Sequence, residues 1–205
     1  MEIHLENIGK KFRKSWIFED VQHLFGEGEA HVILGPNGSG KSTILQIISG
    51  LILPTKGQIV HKINSTTIEP DQVYQYISMA APYMELLETL TLKEMLNVHT
   101  KFKKLIENIS TETFFDLTYL REHQDKQISD FSSGMKQRLK LGLAILSDTQ
   151  LLLLDEPLIN LDERGKKMYL ELIEKYGNKR NIVVCSNHQR DEYDFCSKTL
   201  KLSDR

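Results

Sequence analysis

A chain of 205 residues, against about 150 per domain, excludes a string of modules and must carry one mechanism in one domain or a core with a subdomain. Its 26 Lys and Arg against 28 Asp and Glu give a formal charge of −2, which is no footprint for a phosphate backbone, so nucleic-acid binding is not expected. The longest apolar runs hold four residues against the roughly 20 of a membrane helix, the opening MEIHLENIGKKF lacks a signal-peptide core, and the spacing of Cys185 and Cys196 fits neither a metal nor a redox pair; a cytoplasmic home is expected.

From Ala30 to Leu34 the run AHVIL reads as a buried strand, and Ile44, Ile47, Ile48 and Leu51 follow at helical spacing, with Gly50 and Pro54 as the stop. Residues 73–81, VYQYISMAA, read as another strand. The segment from Pro82 to Thr118 is charged, Leu-rich and helical by period, and it opens a helical subdomain that a helix starting at Ser132 and Ser133 completes through Met135, Leu139, Leu143 and Leu146. Leu151–Leu154 and Ile182–Cys185 are apolar at every position, as central parallel strands covered on both faces should be. A charged amphipathic helix, Asp162–Tyr176, links them. This alternation predicts an α/β architecture.

Chemistry concentrates at three strand ends. GPNGSGKST, spanning Gly35, Pro36, Asn37, Gly38, Ser39, Gly40, Lys41, Ser42 and Thr43, matches G-x-x-x-x-G-K-[ST] between a predicted strand and a predicted helix. Its glycines let successive N–H groups converge on a phosphate, and the new helix adds the positive end of its dipole. Lys41 would reach the β- and γ-phosphates, and Ser42 would give its hydroxyl to Mg²⁺. A plain glycine-rich turn would not need Lys and Ser at these offsets. LLLLDEP places Asp155 and Glu156 at the carboxyl end of a buried strand, where open α/β sheets bind ligands. Asp155 would hold the metal shell and Glu156 would orient or deprotonate an attacking water; the plainer reading of LLLLDEP alone is a core strand running into an acidic turn. His188, after the third strand, would by itself be an ordinary loop histidine.

DFSSGMKQR, Asp130 to Arg138, separates the possibilities. Here the chain resembles the ATP-binding cassette (ABC) ATPases, whose signature reads approximately LSGGQ-x-Q-R. The resemblance makes Gly35–Ser42 the Walker A loop, Leu151–Glu156 Walker B, Ser132, Ser133, Gly134 and Met135 the signature that acts in trans, and Asn160, Leu161 and Asp162 the D-loop. His188 then matches the switch histidine and Phe12 the aromatic that stacks on adenine, although Trp16 and Phe18 lie close by. Phe131, Ser133 and Met135 depart from the family's Leu, Gly and Gln, and Pro82 stands where the Q-loop glutamine is expected; neither Gln72 nor Gln75 fits that position.

The fold so implied is a P-loop NTPase (RecA-like) core with an antiparallel β lobe, residues 1–81 and 148–205, and an inserted helical subdomain, residues 82–147. The function so implied is the Mg²⁺-dependent ATPase subunit of an ABC transporter, pairing head to tail with a second copy on ATP and working through a separate membrane permease. The small export-type subunits, including the haem-exporter ATPase of cytochrome c maturation, are most alike; a soluble ATPase of iron-sulfur assembly type is the alternative. A receptor for a cytoplasmic helix of the permease is expected between Pro82 and Asn97, where Tyr83, Met84, Leu86, Leu87, Leu90 and Leu92 exceed what one helix face buries.

Overall fold

The computed structural model describes residues 1–178 and 180–202. Chain order begins with β1 (Glu2–Phe12), β2 (Ser15–Phe25), β3 (Ala30–Leu34), α1 (Lys41–Ile48), β4 (Lys56–Ile63), β5 (Thr66–Ile68) and β6 (Ile77–Ala80). It continues through α2 (Leu92–Phe102), α3 (Thr111–Leu117), α4 (Ser133–Ile145), β7 (Leu151–Asp155), α5 (Glu163–Tyr176), β8 (Asn181–Ser186) and β9 (Lys198–Lys201). Two units emerge: residues 1–77 and 150–156 with the chain from 180 to 202, and residues 78–149 with 157–178. This division differs from the expected one, because Pro157–Asn178 groups with the helical segment rather than with the core.

The strands of both sheets belong to the first unit except β6, of which only Ile77 does. β2, β1, β4 and β5 form an antiparallel sheet in that spatial order. In β1 the buried positions are Ile3, Leu5, Ile8 and Gly9, so the period-2 alternation breaks where Asn7 adopts φ 49° and the register to both neighbours shifts. That bulge hides the strand from a periodicity search. The second sheet runs β6-β7-β8-β3-β9, and the pairs β7–β8, β8–β3 and β3–β9 are parallel. Every residue of β7 and β8 is buried, as their unbroken apolar runs predict.

Register then fixes the site. Leu34 pairs with Ser186 and Asp155 with Cys185, so three parallel strands end level with one another. The loop after β3, the acids ending β7 and the turn after β8 therefore share one edge. Residues 73–81 correct the sequence reading: Val73–Tyr76 is a 3-10 turn, and only Ile77–Ala80 is extended. The i, i+2 alternation of VYQY resembles a strand, but Val73 alone of those four residues is buried, while Tyr74 is 65% exposed.

Within the second unit the helices start on side-chain caps. Thr91 accepts from the Glu94 N–H at 3.2 Å while Glu94 accepts from the Thr91 N–H at 2.8 Å, a reciprocal capping box that contributes about 1 kcal/mol. Ser110, Ser132 and Asp162 cap α3, α4 and α5 from one side only, each side chain accepting from a backbone N–H. Leu92 and Leu96 anchor α2 in the core, against the expectation that Leu92 belongs to an exposed patch. Tyr83, Met84 and Leu87 are the exposed apolar residues of that stretch, at 40%, 37% and 53%.

Candidate active site

The loop after β3 closes on itself through Lys41. Its buried Nζ donates to the Gly35 carbonyl at 2.7 Å and the Pro36 carbonyl at 3.0 Å, and the Ser39 N–H reaches the Pro36 carbonyl at 3.2 Å. Gly40 stands at φ 96° as the N-cap of α1, and a Cβ there would come within 2.7 Å of Ile17 and Phe18 side-chain atoms. Only glycine meets both demands. A Cβ on Gly35 would lie 2.5 Å from Ser39 Oγ and 2.8 Å from the Leu202 carbonyl. The result is a tight concave turn of backbone N–H groups ending on a helix N-terminus with one cation inside it, a shape and charge suited to a phosphate chain.

Asp155 ends β7 beside this loop. It is 2% exposed, its Oδ2 has no hydrogen-bond partner, and the Ser42 hydroxyl donates to its carboxyl group. Burial pushes its pKa up to about 6, with the Glu156 charge adding to the rise and Ser42 and Lys41 opposing it. An orphaned carboxylate oxygen inside a protein costs free energy unless a cation or donor arrives. Together with the Ser42 hydroxyl it offers two oxygen ligands, and phosphate oxygens and water would complete the octahedral shell that Mg²⁺ prefers. The residues present therefore fit that ion.

Glu156 follows with φ 45°, and its N–H donates to the Cys185 carbonyl at 2.9 Å. The bond locks the backbone across β7 and β8, while the left-handed turn redirects the chain as it leaves the strand. His188 is exposed and also left-handed, at φ 63°. Such backbone at non-glycine residues is uncommon and concentrates at functional sites. Phe12 lies at the β1–β2 turn, 49% exposed, with the Lys10 Nζ 5.1 Å from its ring centroid. Phe18 is buried against Gly40 and cannot stack on a ligand. Of Phe12 and Phe18, Phe12 is the exposed one.

The signature and D-loop residues meet within the second unit. Ser132 and Ser133 are exposed at the start of α4, with Ser132 Oγ accepting from the Met135 N–H at 3.2 Å. A Cβ on Gly134 would stand 3.1 Å from the Asn160 carbonyl oxygen, so the first turn of α4 lies against the loop that Asn160, Leu161 and Asp162 form. Asp162 caps α5 by accepting from the Gly165 N–H at 2.8 Å. Sequence reasoning passed over Gln137, whose side chain is 4% exposed and donates to the Pro157 carbonyl at 2.9 Å. The available signal was the second glutamine of the LSGGQ-x-Q-R pattern, which Gln137 matches.

The family model described as "ABC transporter" matches residues 18–159. The chain belongs to that family. Its relatives include the uncharacterized ABC transporter ATP-binding protein YybJ of Bacillus subtilis, 29% identical over 98% of this chain and 92% of that one. The cytochrome c biogenesis ATP-binding export protein CcmA of Reclinomonas americana is 33% identical over 84% and 78% respectively. Two further Bacillus subtilis relatives are longer, and the chain spans 65% and 66% of their length. In fold this ABC protein resembles the ATP-binding cassette MJ0796, solved as a dimer after hydrolysis with ADP and Pi bound, at a TM-score of 0.82 and 24% identity over 98% of this chain and 94% of that one. Among the described residues no helix is long and apolar enough to cross a membrane.

Proposed function

We propose that this ABC protein binds and hydrolyses MgATP and drives transport through separate membrane subunits, two copies pairing head to tail around the nucleotide. The observation that carries the reading is the juxtaposition, within one unit, of a glycine-built loop holding Lys41 and a buried carboxylate with an oxygen left open beside Ser42. Transporter ATP-binding proteins among the relatives favour this over an iron-sulfur assembly machine.

Each residue then has a task. Lys41 exchanges the Gly35 and Pro36 carbonyls for β- and γ-phosphate oxygens, and loop N–H groups from Gly38 to Thr43 take the remaining charge. Bound Mg²⁺ would neutralise the triphosphate and polarise the bond to the γ-phosphate. Ser42 and Asp155 would hold it, and its charge would favour the ionised form of Asp155 against the burial that raises its pKa. Glu156 orients the attacking water and accepts its proton, His188 contacts the γ-phosphate region, and Phe12 stacks on adenine. Ser132, Ser133, Gly134 and Met135 cap the γ-phosphate held by the other copy, with Asn160, Leu161 and Asp162 lying behind them. The permease helix docks on the exposed stretch of Tyr83, Met84 and Leu87.

Calorimetric titration with MgATP tests the core of this reading. Lys41→Ala should weaken binding at least ~100-fold, because a triphosphate loses its one side-chain cation in the loop. Affinity equal to the wild type would remove the loop as the phosphate site.

A further inference from the structure

Glu192 is a buried carboxylate with no part in the scheme above. It is 3% exposed, although an ionised side chain taken out of water costs free energy unless a donor meets it. One donor is Ser186, the last residue of β8, whose hydroxyl bonds to Glu192 Oε2. The same Ser186 Oγ accepts from the Gln189 N–H at 3.2 Å, and the Gln189 carbonyl accepts from the Glu192 N–H at 3.1 Å. These three bonds close a turn around His188, which stands at φ 63°. All of these residues lie in the first unit, with the phosphate loop and its acids.

The serine hydroxyl carries one hydrogen and has two acceptors to choose from. The Gln189 carbonyl is 3.4 Å away, while the Glu192 carboxylate is closer and charged, so the hydrogen goes to Glu192 and a lone pair is left facing the Gln189 N–H. Register places the start of this turn: Ser186 pairs with Leu34, the residue before Gly35, and the carbonyl of Cys185 receives the Glu156 N–H at 2.9 Å. Left-handed backbone at a residue other than glycine persists only where its surroundings hold it, and here the far side of the turn is tied back to the end of the strand beside β3.

We infer that Ser186 and Glu192 are positioning residues for His188: the buried carboxylate orients the serine hydroxyl, the hydroxyl holds the Gln189 N–H, and the backbone at His188 is thereby fixed level with the start of the phosphate loop. An apolar residue at position 192 would avoid the desolvation cost but would let the hydroxyl swing to the Gln189 carbonyl. The inference rests on the proposed ATPase reading, in which His188 contacts the γ-phosphate region.

The test measures MgATP affinity by calorimetry, steady-state hydrolysis and thermal melting in wild type, Ser186→Ala, Ser186→Thr, Glu192→Leu, His188→Ala and the Ser186→Ala/His188→Ala double variant. Ser186→Ala and Glu192→Leu should keep the wild-type affinity and lose kcat by ~10-fold, since a small misplacement of a group at the reacting phosphate is costly. Ser186→Thr, which keeps the hydroxyl, should restore kcat. Added to His188→Ala, Ser186→Ala should lower turnover no further, because it acts through the missing imidazole. Unchanged kcat in Ser186→Ala, beside an active wild type and an impaired His188→Ala, overturns the inference and leaves the ATPase reading standing. A further loss in the double variant overturns it too, since the serine would then serve another group. If Ser186→Ala and Glu192→Leu both melt far below wild type and lose MgATP, the pair is structural and the inference falls. Full hydrolysis in His188→Ala removes the role of that histidine and the inference with it, whereas absence of hydrolysis in wild type sinks the ATPase reading itself.

Discussion

His99 shows how a single half-buried residue sets a condition for stability. Its Nε2–H donates to Ser147 Oγ at 2.8 Å, and that hydroxyl in turn donates to the Leu143 carbonyl at 2.6 Å, so the neutral ring is pinned in one tautomer. Burial, with Lys103 adding repulsion, brings its pKa down from 6.5 to about 4. The unfolded chain takes up this proton near pH 6.5 and the folded chain only near 4, so the stabilisation is complete above 6.5 and is lost as pH falls from 6.5 to 4. At 1.36 kcal/mol per unit the loss is at most about 3 kcal/mol. Urea midpoints measured at pH 7.5 and 4.5 should fall less in His99→Gln than in wild type. Equal falls would place the acid sensitivity in the other histidines held below their ordinary range, His23, His31 and His61.

Elements succeed or fail as sequence signals according to what surrounds them. α4 was legible because Ser132 caps it and Leu139 and Leu143 repeat on its buried face. α5 was legible because Asp162 caps a charged amphipathic period. The stretch after Pro82 was half legible: its apolar content was plain, but which leucines face inward depends on α2 being anchored by Leu92 and Leu96. Substitutions separate the two kinds. Leu92→Asp should cost several kcal/mol, because it places an unpaired charge in the core, and thermal melting would show it. Leu87→Asp, at a site 53% exposed, should keep the wild-type melting temperature and basal ATPase while losing copurification of the proposed membrane subunit; retention of that subunit would remove the stretch as its receptor.

At the scale of the whole molecule the expected working form has two copies. One chain holds the loop with its acids in the first unit and an exposed signature start in the second, and in the proposed head-to-tail pair each nucleotide would draw groups from two chains. Glu156→Gln should retain MgATP binding, lose turnover by ~10² to 10⁴, and accumulate as an ATP-bound dimer that static light scattering detects where wild type is monomeric. A variant that stays monomeric at saturating MgATP would break the head-to-tail arrangement.

The sequence by itself determined the phosphate loop, the two acids after an unbroken apolar strand, and the capped signature helix. These are local patterns: a motif fits between one strand and one helix, and residues such as Lys41, Asp155 and Ser132 carry their meaning within a few neighbours. The antiparallel lobe entered only through resemblance, because the bulge at Asn7 breaks the alternation of β1. Tertiary structure alone decided the rest. Parallel pairing of Leu34 with Ser186 and of Asp155 with Cys185 brings the strand ends level across more than a hundred residues of chain. The orphaned Asp155 oxygen, the bond from Gln137 to Pro157 and the division of the chain at Glu156 likewise depend on burial and on partners distant in sequence, which no local spacing encodes.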